Sequence, residues 1–260
     1  MPAPTALLLD LDGTLYSDDA PIPGAVEAMA AIRKTGIPFR FTTNTTRWPR
    51  ATLAARLTGM GIPAEPEEIV SAPSATARWL AARGLRRVRL LVPEMSWGEF
   101  ADLSIADEAP QAVVVGDLGE EWTFPLLDAA FRDVMAGAEL VAVQRNRYWR
   151  VDGRLQLDAG PFVAALEYAT RRQATLVGKP SAEFFETAAG ECGDHDPARV
   201  AVVGDDLESD VRGARDAGML AVALRTGKYR REDEARYLET ASVVLDSIAG
   251  LPAWLAHGSG

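Results

Sequence analysis

The chain has 260 residues, 48% of them hydrophobic and 25% charged, enough to bury a core in one large domain or two modest ones; disordered and fibrous classes are excluded. A formal net charge of −10 makes nucleic acid and anionic membrane surfaces poor partners. The single cysteine, Cys192, cannot form an internal disulfide, and Met1 to Thr5 carry no basic segment ahead of a short apolar run, so the expected compartment is the cytoplasm.

Short apolar runs alternate with amphipathic stretches along the chain. A strand is predicted at 6–9, a helix at 24–34, a strand at 37–41 and a helix at 50–57. Strand 69–70, helix 74–82 and strands 88–92 and 112–115 follow, then helix 124–135, strand 140–143, helix 161–171 and strand 174–177. Helix 183–189 and strands 200–203, 220–224 and 243–245 complete the series. Several runs are apolar at every position, which marks strands covered on both faces, and strand–helix alternation predicts an α/β fold with a mostly parallel sheet. The final residues, His257 to Gly260, read as a tail.

Ligands of such folds sit beyond the carboxyl ends of the strands. Four runs end in informative residues: Asp10-Leu11-Asp12-Gly13-Thr14, Thr42-Thr43-Asn44-Thr45-Thr46, Gly178-Lys179-Pro180 and Gly204-Asp205-Asp206 with Asp210 beyond. Strand periodicity turns Asp10 and Asp12 the same way, and Gly13 permits a tight turn after them. Taken singly, each group has an ordinary reading. Asp206 and Asp210 suit helix capping, Thr43 and Asn44 suit a loop, and Lys179 suits an exposed surface. Taken together they form a carboxylate cluster that needs a cation, since two carboxylates about 4 Å apart repel by roughly 4 kcal/mol at an effective dielectric of 20. Hard oxygen ligands without neighbouring Cys or His favour Mg²⁺, which also binds substrate phosphate. Mg²⁺ and Lys179 would neutralise a phosphate monoester, Asp10 would attack phosphorus in line, and Asp12 would protonate the leaving oxygen and then activate water.

The motif Asp10-Leu11-Asp12-Gly13-Thr14-Leu15, the Thr43-Asn44 step, Lys179 and Gly204-Asp205-Asp206 with Asp210 resemble, in order, the four motifs of the haloacid dehalogenase-like superfamily. Residues 41–46, Val177-Gly178-Lys179-Pro180 and Thr226-Gly227-Lys228-Tyr229 resemble its large-capped branch, and the likeness covers nearly the whole chain. The aspartate at Asp12 is the residue carried by the family's phosphatases. The resemblance implies a Rossmann-like parallel-sheet core with an inserted α/β cap: core at 1–78, cap at 79–173, core again at 174–260. It implies Asp10 as nucleophile and Asp12 as general acid/base. Mg²⁺ would be held by the Asp10 carboxylate, the Asp12 backbone carbonyl and Asp205. Asp12, Thr43, Asn44 and Lys179 would bind the phosphate, with Asp206 and Asp210 supporting the metal or Lys179 from behind. No site position departs from the pattern.

The expected substrate is a small phosphorylated metabolite, and a homodimer through the cap is the assembly this branch suggests. Asp117, Trp122 and the run Gln144-Arg145-Asn146-Arg147-Tyr148-Trp149-Arg150 are the cap residues able to meet a leaving group. A hairpin edge turning at 151–154 is the favoured reading of that run. His195 is given no role. A receiver-type signalling domain does not open on an Asp-x-Asp pair or carry a cap-sized insertion. Phosphotransfer through the same intermediate and non-catalytic phosphate binding are the alternatives to hydrolysis.

Overall fold

The computed structural model describes residues 3–151, 154–193, 196–237, 239 and 241–257, and for Arg150 and Val151 the backbone alone. The Asp152-Gly153 step of the expected turn, the Arg150 side chain, His195, and residues 258–260 of the tail lie outside the described residues.

The chain order is β1 (Ala6–Asp10), β2 (Tyr16–Ser17), β3 (Ala20–Pro21), α1 (Ala25–Thr35), β4 (Phe39–Thr43), α2 (Arg50–Gly59) and β5 (Ile69–Ser71). Then come α3 (Ala72–Ala82), β6 (Arg87–Leu91), β7 (Ser104–Ile105), β8 (Ala112–Val115), α4 (Phe124–Met135) and β9 (Glu139–Ala142). These lead into β10 (Tyr148–Val151), β11 (Arg154–Leu157), α5 (Ala159–Thr170) and β12 (Thr175–Leu176). The chain closes with α6 (Ala182–Glu191), β13 (Val200–Gly204), α7 (Gly213–Asp216), β14 (Leu220–Leu224), α8 (Glu234–Tyr237), β15 (Val243–Leu245) and α9 (Leu251–His257). Among the described residues no helix is long and apolar enough to cross a membrane.

Two compact units result. The first comprises Met1–Thr43, Arg50–Val70 and Lys179–Gly260, and the second Asn44–Pro49 and Ser71–Gly178. The first is built on a six-stranded sheet in the order β15-β14-β13-β1-β4-β5. β1 pairs in parallel with β4 on one side and β13 on the other, so the chain reverses its direction of sheet growth beside β1. All five residues of β1 and of β13 are buried, as expected of central parallel strands covered on both faces. Leu7, Leu9, Phe41 and Val203 join Met29 and Ile32 of α1 and Leu53 and Leu57 of α2 in one apolar cluster. The buried positions of α1, Ala25, Ala28, Met29 and Ile32, follow the three- and four-residue spacing of a single helix face.

The second unit has its own sheet, ordered β12-β9-β8-β6-β7, and a separate antiparallel pair, β10-β11. Its core gathers Val113, Val115, Leu140 and Ala142 with Ala130 and Val134 of α4 and Val163 and Leu166 of α5. Ser71 starts α3: its hydroxyl accepts from the Ser74 N–H at 3.2 Å while the Ser71 N–H donates to the Ser74 hydroxyl at 3.1 Å, closing a reciprocal cap. The expected cap limits of 79 and 173 therefore fall inside α3 and just before β12. The sequence places the run at 174–177 at the start of the second core segment, whereas Thr175 and Leu176 pair with Val141 and Ala142 of β9. A short apolar run carries no signal for which of two parallel sheets it joins; partner strands decide that.

Candidate active site

The site belongs to the first unit and is assembled where β1, β13 and β14 end. Asp10 is the last residue of β1 and is 7% exposed. Lys179 is 3% exposed and donates to Asp10 Oδ1 at 2.5 Å and to Asp210 Oδ1 at 2.7 Å. Burial lowers the Lys179 pKa, but Asp10 and then Asp210 outweigh it and raise the value above that of an ordinary lysine. The ammonium is therefore charged throughout the physiological range.

Asp205 follows β13 and is almost fully buried. Its Oδ1 accepts from the Thr14 hydroxyl at 3.3 Å and its Oδ2 from the Lys228 N–H at 2.5 Å. The loop packs against it so closely that a Cβ on Gly13, at φ +82°, or on Gly227, at φ +52°, would overlap the Asp205 carboxylate. Both positions need glycine for backbone conformation and for space. Asp206 starts the next helical segment, where its Oδ1 accepts from the Ser209 N–H at 2.9 Å and the Glu208 N–H at 3.1 Å. That segment, Leu207–Arg212, is a wide π-helical turn, a form that recurs at functional sites. It directs Asp210 back to Lys179, and the Asp206 N–H donates to Asp210 Oδ2 at 3.3 Å.

Asp10, Asp205 and Asp210 each offer an oxygen within 4.8 Å of the others. At that separation each charged pair repels by about 3 kcal/mol at an effective dielectric of 20. One buried ammonium does not balance three carboxylates. Burial, then Asp10 and then Asp210, push the Asp205 carboxyl well above its ordinary range. Burial, with Asp10 and Asp206 against the pull of Lys179, pushes Asp210 up to about 7. A cluster with this surplus of negative charge takes up a proton or a cation, and its all-oxygen donor set suits Mg²⁺. The residues thus fit the ion that the sequence implies.

Asp12 lies past the strand end and keeps access to solvent. Partial burial first, and the Asp10 charge second, raise its pKa, the direction that favours the protonated carboxyl. Tyr16 is buried, and its phenol is raised by burial and by Asp12. Thr43 closes β4 and is buried in the same unit. Asn44 falls in the second unit, and a Cβ on Gly178 would lie 2.8 Å from its Oδ1. The structure thus unites Asp10, Lys179, Asp205 and Asp210, and links Asp206 to Asp210 through its N–H. Lys228, whose N–H is bonded to Asp205, is not among the site residues that the sequence predicts. Its signal was available: a Gly227-Lys228 step after the apolar run at 220–224, like Gly178-Lys179 after 174–177.

The second unit accounts for most of the cap residues internally. Asp117 accepts from Arg47 Nε at 2.9 Å, and the Arg47 guanidinium lies 3.7 Å from the Trp149 ring centroid. Gln144 is hydrogen-bonded to Asp158 and to the Asn146 N–H, and Arg145 Nη2 reaches Glu167 Oε2 at 2.6 Å. Trp122 stacks on Phe162 with ring centroids 4.1 Å apart. Tyr148 and Trp149 stand on β10 opposite Leu157 and Gln156 of β11, the arrangement of a hairpin edge.

Comparison with known proteins agrees with this geometry. The family profile described as haloacid dehalogenase-like hydrolase matches residues 7–105, and an HAD-hydrolase-like profile matches residues 176–251. Human haloacid dehalogenase-like hydrolase domain-containing protein 2 is 41% identical over 231 residues, covering 89% of this chain and 88% of that protein. Human phospholysine phosphohistidine inorganic pyrophosphate phosphatase is 34% identical over 249 residues, covering 94% and 91%. The crystal structure of 4-nitrophenylphosphatase from Thermotoga maritima superposes with a TM-score of 0.89 at 27% identity, covering 96% and 97% of the two chains. The p-nitrophenyl phosphatase from Archaeoglobus fulgidus gives 0.90 at 27% identity, covering 97% and 100%. With four motifs at the strand ends of a matching fold, and relatives aligned over nearly its full length, the chain belongs to the large-capped branch of the haloacid dehalogenase-like hydrolase family.

Proposed function

We propose that this phosphatase hydrolyses a small-molecule phosphomonoester, pyrophosphate or phosphoamino acid through a phosphoryl group carried on Asp10. The observation that carries the reading is the buried Asp10–Lys179–Asp210 ion triad with Asp205 beside it. Lys179 holds Asp10 Oδ1, and attack is assigned to the other carboxylate oxygen. As the new O–P bond forms, the bond to the leaving oxygen breaks, and that oxygen takes its proton from the Asp12 carboxyl. Asp12, then ionised, accepts a proton from the water that attacks the same phosphorus, and the Asp10 O–P bond breaks to release phosphate. Thr43 and Asn44 supply hydroxyl, amide and N–H donors to the phosphoryl oxygens, and Lys179 adds positive charge where charge accumulates. Mg²⁺, held by the Asp10 carboxylate, the Asp12 backbone carbonyl and Asp205, would supply further positive charge against the phosphoryl oxygens. Asp206 and Asp210 hold this set from behind.

The test is phosphate release from para-nitrophenyl phosphate by purified protein. Release is expected with Mg²⁺ and not with EDTA, and Asp10→Asn should lower it by about a thousandfold or more. A folded protein that releases no phosphate across a broad phosphoester panel refutes the reading, and Asp10→Asn turnover near wild type removes Asp10 as nucleophile.

A further inference from the structure

The turn after β14 brings a second lysine to the carboxylate cluster. Lys228 is attached there twice: its N–H donates to Asp205 Oδ2 at 2.5 Å, and its Nζ stands 3.5 Å from Asp206 Oδ2. A Cβ on Gly227 would lie 2.5 Å from Gly13 Cα, so this turn abuts the loop that carries Asp12. The main chain of Lys228 is thus held at the site by contacts that its side chain does not make.

The two lysines differ in exposure and in the length of their ion pairs. Lys179 is buried between Asp10 and Asp210. The Lys228 side chain is 56% exposed. Its ion pair with Asp206, at 3.5 Å, is longer than a charge-assisted hydrogen bond of about 2.8 Å, and an ammonium has three donors to place. The Gly227-Lys228 turn lies against Gly13, the residue next to Asp12. The exposed ammonium and the acid assigned to the leaving oxygen therefore serve one region.

We propose that Lys228 reads the leaving group: its ammonium pairs with an anionic substituent on the part of the substrate that is released from phosphorus. The site then favours phosphoesters carrying a second negative charge over neutral ones of the same shape. This rests on the phosphatase reading and narrows its substrate class from the core side of the site.

The test compares 4-carboxyphenyl phosphate with 4-carbamoylphenyl phosphate, which match in size and differ in charge. The measured quantity is the ratio of their kcat/KM values in wild type, Lys228→Met and Lys228→Arg. Taking the ratio between enzymes cancels the difference in leaving-group acidity. The ratio should fall about tenfold in Lys228→Met, the scale of one charge-assisted hydrogen bond at a partly exposed site, and recover in Lys228→Arg. Both variants keep the backbone N–H that holds Asp205. A ratio unchanged in Lys228→Met, however far the two rates fall together, assigns Lys228 to supporting Asp205 and Asp206 and overturns the proposal. Hydrolysis of para-nitrophenyl phosphate by wild type, together with a ratio unchanged in Lys228→Met, overturns this proposal and leaves the phosphatase reading standing. A wild-type enzyme that hydrolyses no phosphoester overturns both.

Discussion

Mg²⁺ binding should expel a proton from the carboxylate cluster. Asp210 is 1% exposed, and burial, with the charges of Asp10 and Asp206 against the pull of Lys179, pushes its carboxyl from 3.8 up to about 7. The metal-free fold therefore holds a proton there at pH values where the unfolded chain does not. A divalent cation relieves the same surplus of negative charge, so proton and metal compete. At pH 6 the protonated form outnumbers the ionised form by about ten to one, and apparent Mg²⁺ affinity should be about tenfold weaker than at pH 8; at pH 5 it should be about a hundredfold weaker. The sign for stability runs the other way. A carboxyl whose folded pKa is raised favours the fold below its unfolded pKa, and a contribution of about 4 kcal/mol is lost as pH rises from 3.8 to 7 in EDTA. Calorimetric titration of Mg²⁺ into the protein, in two buffers of different ionisation enthalpy, reads both affinity and protons released. Uptake of Mg²⁺ with equal affinity at pH 5.5 and 8, and with no proton released at pH 6, would show that the cluster is already balanced without the ion.

Two substitutions probe the same electrostatics by other routes. Lys179→Met leaves Asp10 and Asp210 buried without their shared ammonium and should cost about 3–5 kcal/mol at neutral pH, measured by urea unfolding in EDTA; a change under 1 kcal/mol would mean that the triad carries no net charge coupling. Gly227→Ala places a Cβ on the Asp205 carboxylate at a φ of +52° and should weaken Mg²⁺ binding about tenfold or more by displacing one ligand, and calorimetric affinity equal to wild type would remove Asp205 from the metal set.

Each of the ten apolar runs and six amphipathic stretches read from the sequence corresponds to an observed strand or helix, with ends shifted by a few residues. Periodicity and turn residues are local signals, and they also mark strand ends, which is why Asp10, Lys179 and Asp205 could be singled out before any contact was known. The short hairpin β2-β3 and the edge strand β7 went unread because two-residue strands have no period to detect.

The amino-acid order by itself determined the parallel α/β class, the four strand-end motifs and the requirement for positive charge among their carboxylates. These follow from short-range pattern and from like charges placed at equivalent ends of a sheet. Only the tertiary structure decided which charges meet. Lys179 lies 169 residues from Asp10 and 31 from Asp210, and its position between them is set by strand order and by the π-helical turn. The same packing assigned Thr175–Leu176 to the second sheet, engaged Gln144 and Arg145 within their own unit, and brought Lys228 to Asp205 and Asp206. Long-range pairing of this kind depends on sheet register and loop closure, which no short window of sequence contains.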